Sequence, residues 1–149
     1  RANAAGAAIL IYLDTSVLVA LLANESNASL IRHWYVGCNN TLLLTSDWTL
    51  SEFASALSLK QRSGQLSAPQ ALAIQETFDH LIGDGVRLLD VSRLAFRHSA
   101  KLIQSMHGLR AGDALHLAVA LEAGVNAFAT LDKLLMSKAL EAQLQLVQF

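Results

Sequence analysis

Short runs of apolar residues alternate along the chain with longer segments in which apolar residues recur every three or four positions. The runs have the length and the leucine or β-branched content of buried strands, and they lie at residues 9–13, 41–45, 86–90 and 126–130. Residues 144–149 form a candidate fifth strand. No tight turn typical of a hairpin joins successive runs, which predicts parallel strands connected by helices.

The segments between the runs have the spacing of amphipathic helices. In one of them Leu50, Phe53, Ala54 and Leu57 fall on a single helical face. Residues 67–70 have the form of a capping box that opens another helix. Helices are predicted at residues 17–23, 27–37, 46–61, 67–82, 92–106, 112–124 and 133–142, with turns at 14–16 and 83–85. The pattern predicts an α/β fold, a three-layer α/β/α sandwich around a mostly parallel sheet of four or five strands.

Composition narrows the class of protein further. The chain has 149 residues, of which 53% are apolar and 15% charged, so it can form one well-filled core and is not a disordered chain. We expect a single domain over residues 9–149, with residues 1–8 an added or disordered start. The single cysteine, Cys38, excludes an internal disulfide and a multi-cysteine zinc site. A net charge of −1 provides no general attraction for nucleic acid or anionic lipid.

Residues 7–23 are apolar except for Asp14, Thr15 and Ser16, and they imitate a membrane-spanning segment. Asp14 lies near the middle of this stretch, where a charge costs roughly 2.5–3.5 kcal/mol of insertion free energy. A buried strand, a turn that carries Asp14 and a buried helix explain the same pattern. We therefore expect no association with a membrane.

Four acidic residues stand near the ends of predicted elements. Asp14 follows the first strand directly, and Asp132 lies just beyond the strand at 126–130. Glu52 lies about two turns into the helix after the second strand, and Asp113 begins a helix. Each has an ordinary explanation by itself, as a turn residue, a helix cap or part of a solvated face. In a parallel sheet, however, these positions share one edge, where ligands bind in open α/β folds.

Four converging carboxylates would repel one another. Each pair at 4 Å costs roughly 4 kcal/mol at an effective dielectric constant of about 20. A divalent cation relieves the repulsion, and ligands that are all oxygen select hard ions such as Mg²⁺ or Mn²⁺. Such ions support in-line phosphoryl displacement by an activated water. The hydroxyls of Thr15 and Ser16 are placed to hold a carboxylate or a phosphate.

The segments that carry these acids resemble the PIN domain family, and within it the VapC-type toxin ribonucleases. The resemblance rests on residues 12–17 (YLDTSV), 51–53 (SEF), 109–118 (LRAGDALHLA) and 130–133 (TLDK), in that order, and it extends over residues 9–149. It implies an Mg²⁺- or Mn²⁺-dependent endoribonuclease that hydrolyses RNA phosphodiesters as the toxin of a VapBC-type toxin–antitoxin system. It also implies a homodimer in the cytoplasm that is inhibited by a VapB-type antitoxin.

The resemblance also assigns roles to individual residues. It makes all four acids catalytic residues and metal ligands: Asp14 and Asp113 would be the main ligands, and Glu52 and Asp132 would ligate the metal or hold its waters. Thr15, Ser16 and Thr130 would be supporting hydroxyls. One departure is Gly112, at a position where the family varies.

Several other residues have two interpretations. Arg110, Lys133, Arg93 and Arg97 are candidate RNA contacts; the alternatives are a structural ion pair for Arg110 and an ordinary solvated face for Arg93 and Arg97. His116, three residues after Asp113, either reaches the metal site or is a packed, hydrogen-bonded histidine.

Two other functions remain open from the sequence. One is a non-catalytic PIN-like module that binds RNA or protein. The other is an aspartyl-phosphate phosphotransferase with Asp14 as nucleophile, although haloacid-dehalogenase-like enzymes need a second acid where this chain has Ser16.

Overall fold

The computed structural model describes residues 6–149, in which four strands form one parallel sheet. The strands are β1 (Ile9–Leu13), β2 (Thr41–Ser46), β3 (Arg87–Leu89) and β4 (Ala127–Ala129). The helices are α1 (Thr15–Leu22), α2 (Ala28–Val36), α3 (Asp47–Arg62), α4 (Ala68–Asp84), α5 (Arg93–Ser105), α6 (Ala111–Ala123) and α7 (Lys133–Glu141). The strand order is β3-β2-β1-β4, so β1 is central and its carboxyl end lies between those of β2 and β4.

Alternate residues of β1 point into two separate cores, as the period of two in a strand requires. Ile11 and Leu13 pack with α1, α2, α3 and α4 on one face of the sheet. Tyr12 packs with α5, α6 and α7 on the other face, where its ring stacks on Phe128 at 5.5 Å. The predicted three-layer α/β/α sandwich is therefore confirmed.

The register brings the strand ends to one level. Tyr12 pairs with Leu44 of β2 and with Phe128 of β4, and Ser46 pairs with Leu89 of β3. Because all the pairings are parallel, the loops that follow the strands open on the same edge of the sheet. The loops after β1 and β4 carry two of the four acids there.

The structure corrects three predicted boundaries. The predicted turn at 14–16 is wrong, because Asp14 caps α1 with its own side chain and the helix starts at Thr15. The predicted turn at 83–85 is also misplaced: α4 continues to Asp84, and Gly85 closes it by donating its N–H to the Leu81 carbonyl. The third strand is accordingly shortened to Arg87–Leu89.

The candidate fifth strand at 144–149 is not a strand of this sheet. Leu146 forms one isolated parallel bridge with Phe128, through two backbone hydrogen bonds beside β4. The capping box predicted before α4 is present, with Ser67 and Gln70 bonded reciprocally.

The N-terminal predictions are only partly covered by the structure. Of residues 1–8, predicted to lie outside the fold, 1–5 lie outside the described residues, and 6–8 are exposed and precede β1. The apolar stretch at 7–23 is divided between β1 and α1. Within residues 6–149, none of the helices combines the length and the apolar character that crossing a bilayer requires.

The core beneath α3 and α4 is tested by replacing Phe78 with alanine. Phe78 is 1% exposed and stacks on Phe53 with ring centroids 4.0 Å apart. We expect Phe78→Ala to lower the free energy of unfolding by about 3–5 kcal/mol in urea denaturation. Leu72→Ala on the same helix, where the side chain is 62% exposed, is the control and should change it by less than about 0.5 kcal/mol. Equal losses in the two variants would contradict this packing.

Candidate active site

Asp14 stands at the carboxyl end of the central strand with only 4% of its surface exposed. Its Oδ1 accepts hydrogen bonds from Ser16 Oγ at 2.5 Å and from the Val17 N–H at 3.3 Å, and its Oδ2 accepts one from Thr130 Oγ1 at 2.6 Å. Burial raises the pKa of Asp14, although the charge of His116 and these hydrogen bonds act in the opposite direction. The carboxylate is thus held firmly in a setting that favours a positive charge nearby.

The hydroxyls beside Asp14 join the loop after β1 to the loop after β4. Ser16 Oγ accepts the N–H of Leu131 at 3.0 Å while it donates to Asp14. Thr130 Oγ1 accepts the N–H of Asp132 at 3.1 Å while it donates to the other oxygen of Asp14. The two loops therefore hold each other through groups that also hold the acid.

Glu52 reaches the same edge from the second turn of α3. Its Oε1 accepts a hydrogen bond from Thr15 Oγ1 at 2.7 Å and lies 2.5 Å from Nε2 of His116. Burial would raise the pKa of Glu52, but the hydrogen bond and charge of His116, followed by the Thr15 hydroxyl, outweigh burial and lower it. The Trp48 indole N–H contributes to this lowering, although it makes no hydrogen bond of good geometry. Gly112 leaves room here, since a Cβ would lie 2.9 Å from Trp48 Nε1 and 3.1 Å from Glu52 Oε2.

Asp113 and Asp132 share one arginine. Arg110 Nε lies 3.5 Å from Asp113 Oδ2, and an Arg110 terminal nitrogen lies 3.5 Å from Asp132 Oδ2. Burial is the largest influence on the pKa of Asp113 and raises it. The charges of Arg110 and His116 lower this pKa, whereas those of Asp132 and Asp14 raise it. The charges of both Asp132 and Asp14 thus act on Asp113. The ion-pair interpretation of Arg110 therefore has direct support.

A cleft of about 460 Å³ opens beside these side chains. Its walls include Thr15, Ser16, Glu52 and Asp132, and it continues outward past Glu25 and Asn27. The carboxylate and hydroxyl oxygens around it are the donor type that Mg²⁺ and Mn²⁺ prefer. Over residues 6–149, however, no three histidine, cysteine or acidic side chains already stand close enough together to hold an ion.

The predicted site residues are thus brought together to different degrees. Asp14, Asp132 and Asp113 are joined through Thr130 and Arg110, with Ser16 also bonded to Asp14. Glu52 belongs to a neighbouring group, in which it is bonded to Thr15 and His116. Lys133 is exposed next to Asp132 and forms no ion pair within the described part of the chain.

The basic residues of α5 lie elsewhere. Ser92, which precedes Arg93, donates to Glu122 in the last turn of α6. Glu122 is nine residues beyond Asp113 on the same helix, on the order of 13 Å along its axis. Arg93 therefore lies toward the opposite end of α6 from the acids, and Arg97 is exposed one turn further along α5.

Tyr12 is a participant that the sequence analysis missed. Its hydroxyl lies 2.8 Å from His116 Nδ1 and donates to Ser46 Oγ at 2.9 Å, deep in the core. Burial raises the pKa of Tyr12 far above its ordinary value, so the hydroxyl keeps its proton. A tyrosine in the middle of a buried strand needs a hydrogen-bond partner for its hydroxyl, and this requirement was the sequence feature that pointed to Tyr12.

Comparison with known proteins identifies relatives across most of the chain. A family model described as PIN domain matches residues 11–139. Ribonuclease VapC45 of Mycobacterium tuberculosis (strain CDC 1551 / Oshkosh) is 29% identical over 115 residues, which are 77% of each chain.

Two solved structures share the fold. Mycobacterium tuberculosis VapC20, described as a sarcin-ricin loop cleaving toxin, superposes with a TM-score of 0.68 at 18% identity, over 85% of this chain and 93% of that one. VapBC2 from Rickettsia felis, bound to a DNA fragment from its promoter, gives a TM-score of 0.66 at 14% identity, over 93% and 98%. At these identities the two structures establish a common fold.

The burial of Asp14 predicts a specific dependence of stability on pH. A carboxyl with a raised pKa binds its proton more tightly in the folded state, so folding stability falls as pH rises above the ordinary carboxyl range. Asp14→Asn removes this titration. In urea denaturation of protein kept free of divalent cations by EDTA, we expect the variant to gain stability relative to wild type between pH 4 and pH 8.

The control for this measurement is Asp79→Asn. Asp79 is an exposed acid on α4 whose carboxylate accepts a hydrogen bond from Gln75. Its stability curve should stay parallel to that of wild type. Parallel curves for Asp14→Asn and wild type would show that the Asp14 carboxyl is not strained by burial.

Proposed function

Because this chain belongs to the PIN domain family, we propose that it is a VapC-type toxin, a metal-dependent endoribonuclease that hydrolyses RNA phosphodiester bonds. The single observation that carries the proposal is the placement of four acids from distant parts of the chain along one edge of the sheet, beside an open cleft. The relative of similar length, VapC45, is named a ribonuclease.

The donor set favours Mg²⁺ or Mn²⁺ as the cofactor. We assign Asp14 and Asp113 as the main ligands, and Glu52 and Asp132 as ligands or as acceptors for metal-bound waters. When bound, a cation of this type supplies an activated water and neutralises charge on the phosphorane-like transition state. The catalytic role of the four acids is to hold that cation and orient the attacking water.

The remaining residues of the site keep the acids in place. Ser16 and the Val17 N–H both donate to Oδ1 of Asp14, whereas Thr130 alone donates to Oδ2, so Oδ2 keeps a lone pair for a ligand. Thr15 donates to Oε1 of Glu52. Arg110 balances Asp113 and Asp132 in the present arrangement through one oxygen of each, so its positive charge opposes a cation bound to the same carboxylates.

The finer expectations about partners belong to the same proposal. Arg110 and Lys133 flank the acids and are the better placed candidates for contacts with RNA phosphates; Arg93 and Arg97 would require RNA to extend along α5. We further propose a homodimer that is inhibited by a cognate VapB-type antitoxin, and a cytoplasmic location. Residues 9–149 are proposed to be one nuclease domain.

The phosphotransferase alternative is not favoured by the geometry. Asp14 is almost fully buried and both of its oxygens accept hydrogen bonds, which makes it a poor nucleophile. The residue two positions on, Ser16, donates to Asp14 itself. The site therefore holds Asp14 as a fixed acceptor.

The nuclease proposal is tested with Asp14→Asn. This change removes the negative charge while it keeps the size of the side chain, so we expect the protein to remain folded and to lose at least about 100-fold in Mg²⁺- or Mn²⁺-dependent RNA cleavage. Asp79→Asn should cleave like wild type. Cleavage by both is measured on total RNA with added metal and with EDTA. Full cleavage by Asp14→Asn would remove the mechanism, and a wild type that binds RNA without cutting it would favour the binding module.

Arg110→Ala tests whether the arginine competes with the cation. Arg110 is 72% exposed, so its removal should cost only about 0–1 kcal/mol of stability. Losing a positive charge next to two ligands should tighten Mn²⁺ binding about fivefold, since roughly 1 kcal/mol of charge repulsion is relieved. Isothermal titration calorimetry measures this, with Lys133→Ala as the control that changes affinity less than about twofold. Weaker Mn²⁺ binding by Arg110→Ala would contradict the competition.

A further inference from the structure

His116 lies at the centre of a buried series of hydrogen bonds that runs from the second strand to Glu52. It is 1% exposed on α6, one turn beyond Asp113. On one side its Nδ1 lies 2.8 Å from the hydroxyl of Tyr12, which itself donates to Ser46 Oγ. On the other side its Nε2 contacts Glu52 Oε1. The ring is also edge-on to the ring of Tyr12, at 5.7 Å between centroids.

These contacts fix the imidazole in one orientation. The Tyr12 ring cannot move freely, because it stacks on Phe128 in the core. Its hydroxyl is bonded to Ser46 at the end of β2. The ring of His116 is consequently held from its Nδ1 side by the sheet, and its Nε2 side is aimed at α3.

The partner of Nε2 separates this histidine from an ordinary packed one. Glu52 is a half-buried acid at the cleft, not a structural group of the core. Its Oε1 is held by two groups, His116 and Thr15. Its Oε2 faces Gly112 at the start of α6, where a Cβ would lie 3.1 Å from it. Oε1 is therefore anchored by two groups, whereas within residues 6–149 Oε2 accepts no hydrogen bond of good geometry and is the oxygen left for a ligand.

We propose that His116 is a positioning residue, which fixes Glu52 through Nε2 so that Oε2 is presented to the metal site. The proposal rests on the proposed nuclease function and adds a residue to it. A glutamate reaches the site through a flexible side chain, so an anchor is needed before its second oxygen can serve as a ligand. The lowered pKa of Glu52 is consistent with this anchor.

Two conservative variants separate a positioning role from a packing role. His116→Gln places an amide donor near the position of Nε2, toward Glu52, whereas His116→Asn places one near Nδ1, toward Tyr12. We expect His116→Gln to keep Mn²⁺ affinity within about threefold of wild type, and His116→Asn to lose about tenfold or more. Calorimetric titration with Mn²⁺ alone gives the affinities, and circular dichroism shows that each protein is folded.

The same substitutions in a Glu52→Gln background test whether His116 acts through Glu52. Once the carboxylate is gone, His116→Asn should change Mn²⁺ affinity by less than about twofold. Tyr12→Phe removes the contact at Nδ1 and the hydrogen bond to Ser46 but leaves Nε2 opposite Glu52, so it should lose less affinity than His116→Asn. If His116→Asn does not fold, Tyr12→Phe is compared with a folded His116→Ala variant instead. A larger loss of Mn²⁺ affinity in Tyr12→Phe than in His116→Ala would overturn the proposal.

The outcomes distinguish the two proposals. His116→Asn binding Mn²⁺ as well as or better than His116→Gln, or an equal loss in both backgrounds, would overturn the positioning role. If wild type cleaves RNA and either of these results is found, the nuclease proposal is kept and only the positioning role of His116 is rejected. Wild type that cleaves no RNA with Mg²⁺ or Mn²⁺, together with the order Gln above Asn in Mn²⁺ affinity, would contradict the nuclease proposal and support the positioning of Glu52.

Discussion

The rest of the site depends on one buried carboxylate, that of Asp14. A charge removed from water is costly unless hydrogen bonds or an opposite charge compensate for it. Here two hydroxyls and one backbone N–H supply part of that compensation, and each hydroxyl also binds the backbone that leads to Asp132. The requirement to satisfy Asp14 therefore brings the loop after β4 against the start of α1, and it shapes one wall of the cleft.

The parallel sheet explains how distant residues reach this carboxylate. β1 is flanked by β2 and β4, so the segments that follow all three strands meet at one edge. Glu52 comes from the helix after β2, and Asp132 from the loop after β4. α6 adds Asp113 and His116 one turn apart, and His116 connects back to β1 through Tyr12. Elements on both faces of the sheet thus contribute to the site. Tyr12 is packed in the core and also contacts His116 through its hydroxyl.

The sequence predicts the layers, the helices and the location of the acids well, because these follow from local periodicity and from the geometry of parallel strands. The prediction of a fifth strand was wrong because an apolar run does not show how many residues pair with a neighbouring strand. Here Leu146 forms a single bridge with Phe128, which is too little to make a strand. The turn at 14–16 failed because the Asp14 side chain caps the helix that follows. The contacts of His116 with Tyr12 and Glu52 join residues 104 and 64 positions apart, and no periodicity encodes such pairs. The two ion pairs of Arg110 were predictable to different degrees. The pair with Asp113 is local in the sequence, whereas the pair with Asp132 depends on the tertiary fold.

Anomalous X-ray scattering from crystals soaked in Mn²⁺ would show whether the four acids hold a cation at the edge of the sheet. We expect a manganese peak in contact with the carboxylates of Asp14 and Asp113, with Arg110 displaced from its position between Asp113 and Asp132. A peak bound by other residues would rule out this site. The same holds if crystals show no peak although the protein cleaves RNA in the presence of EDTA.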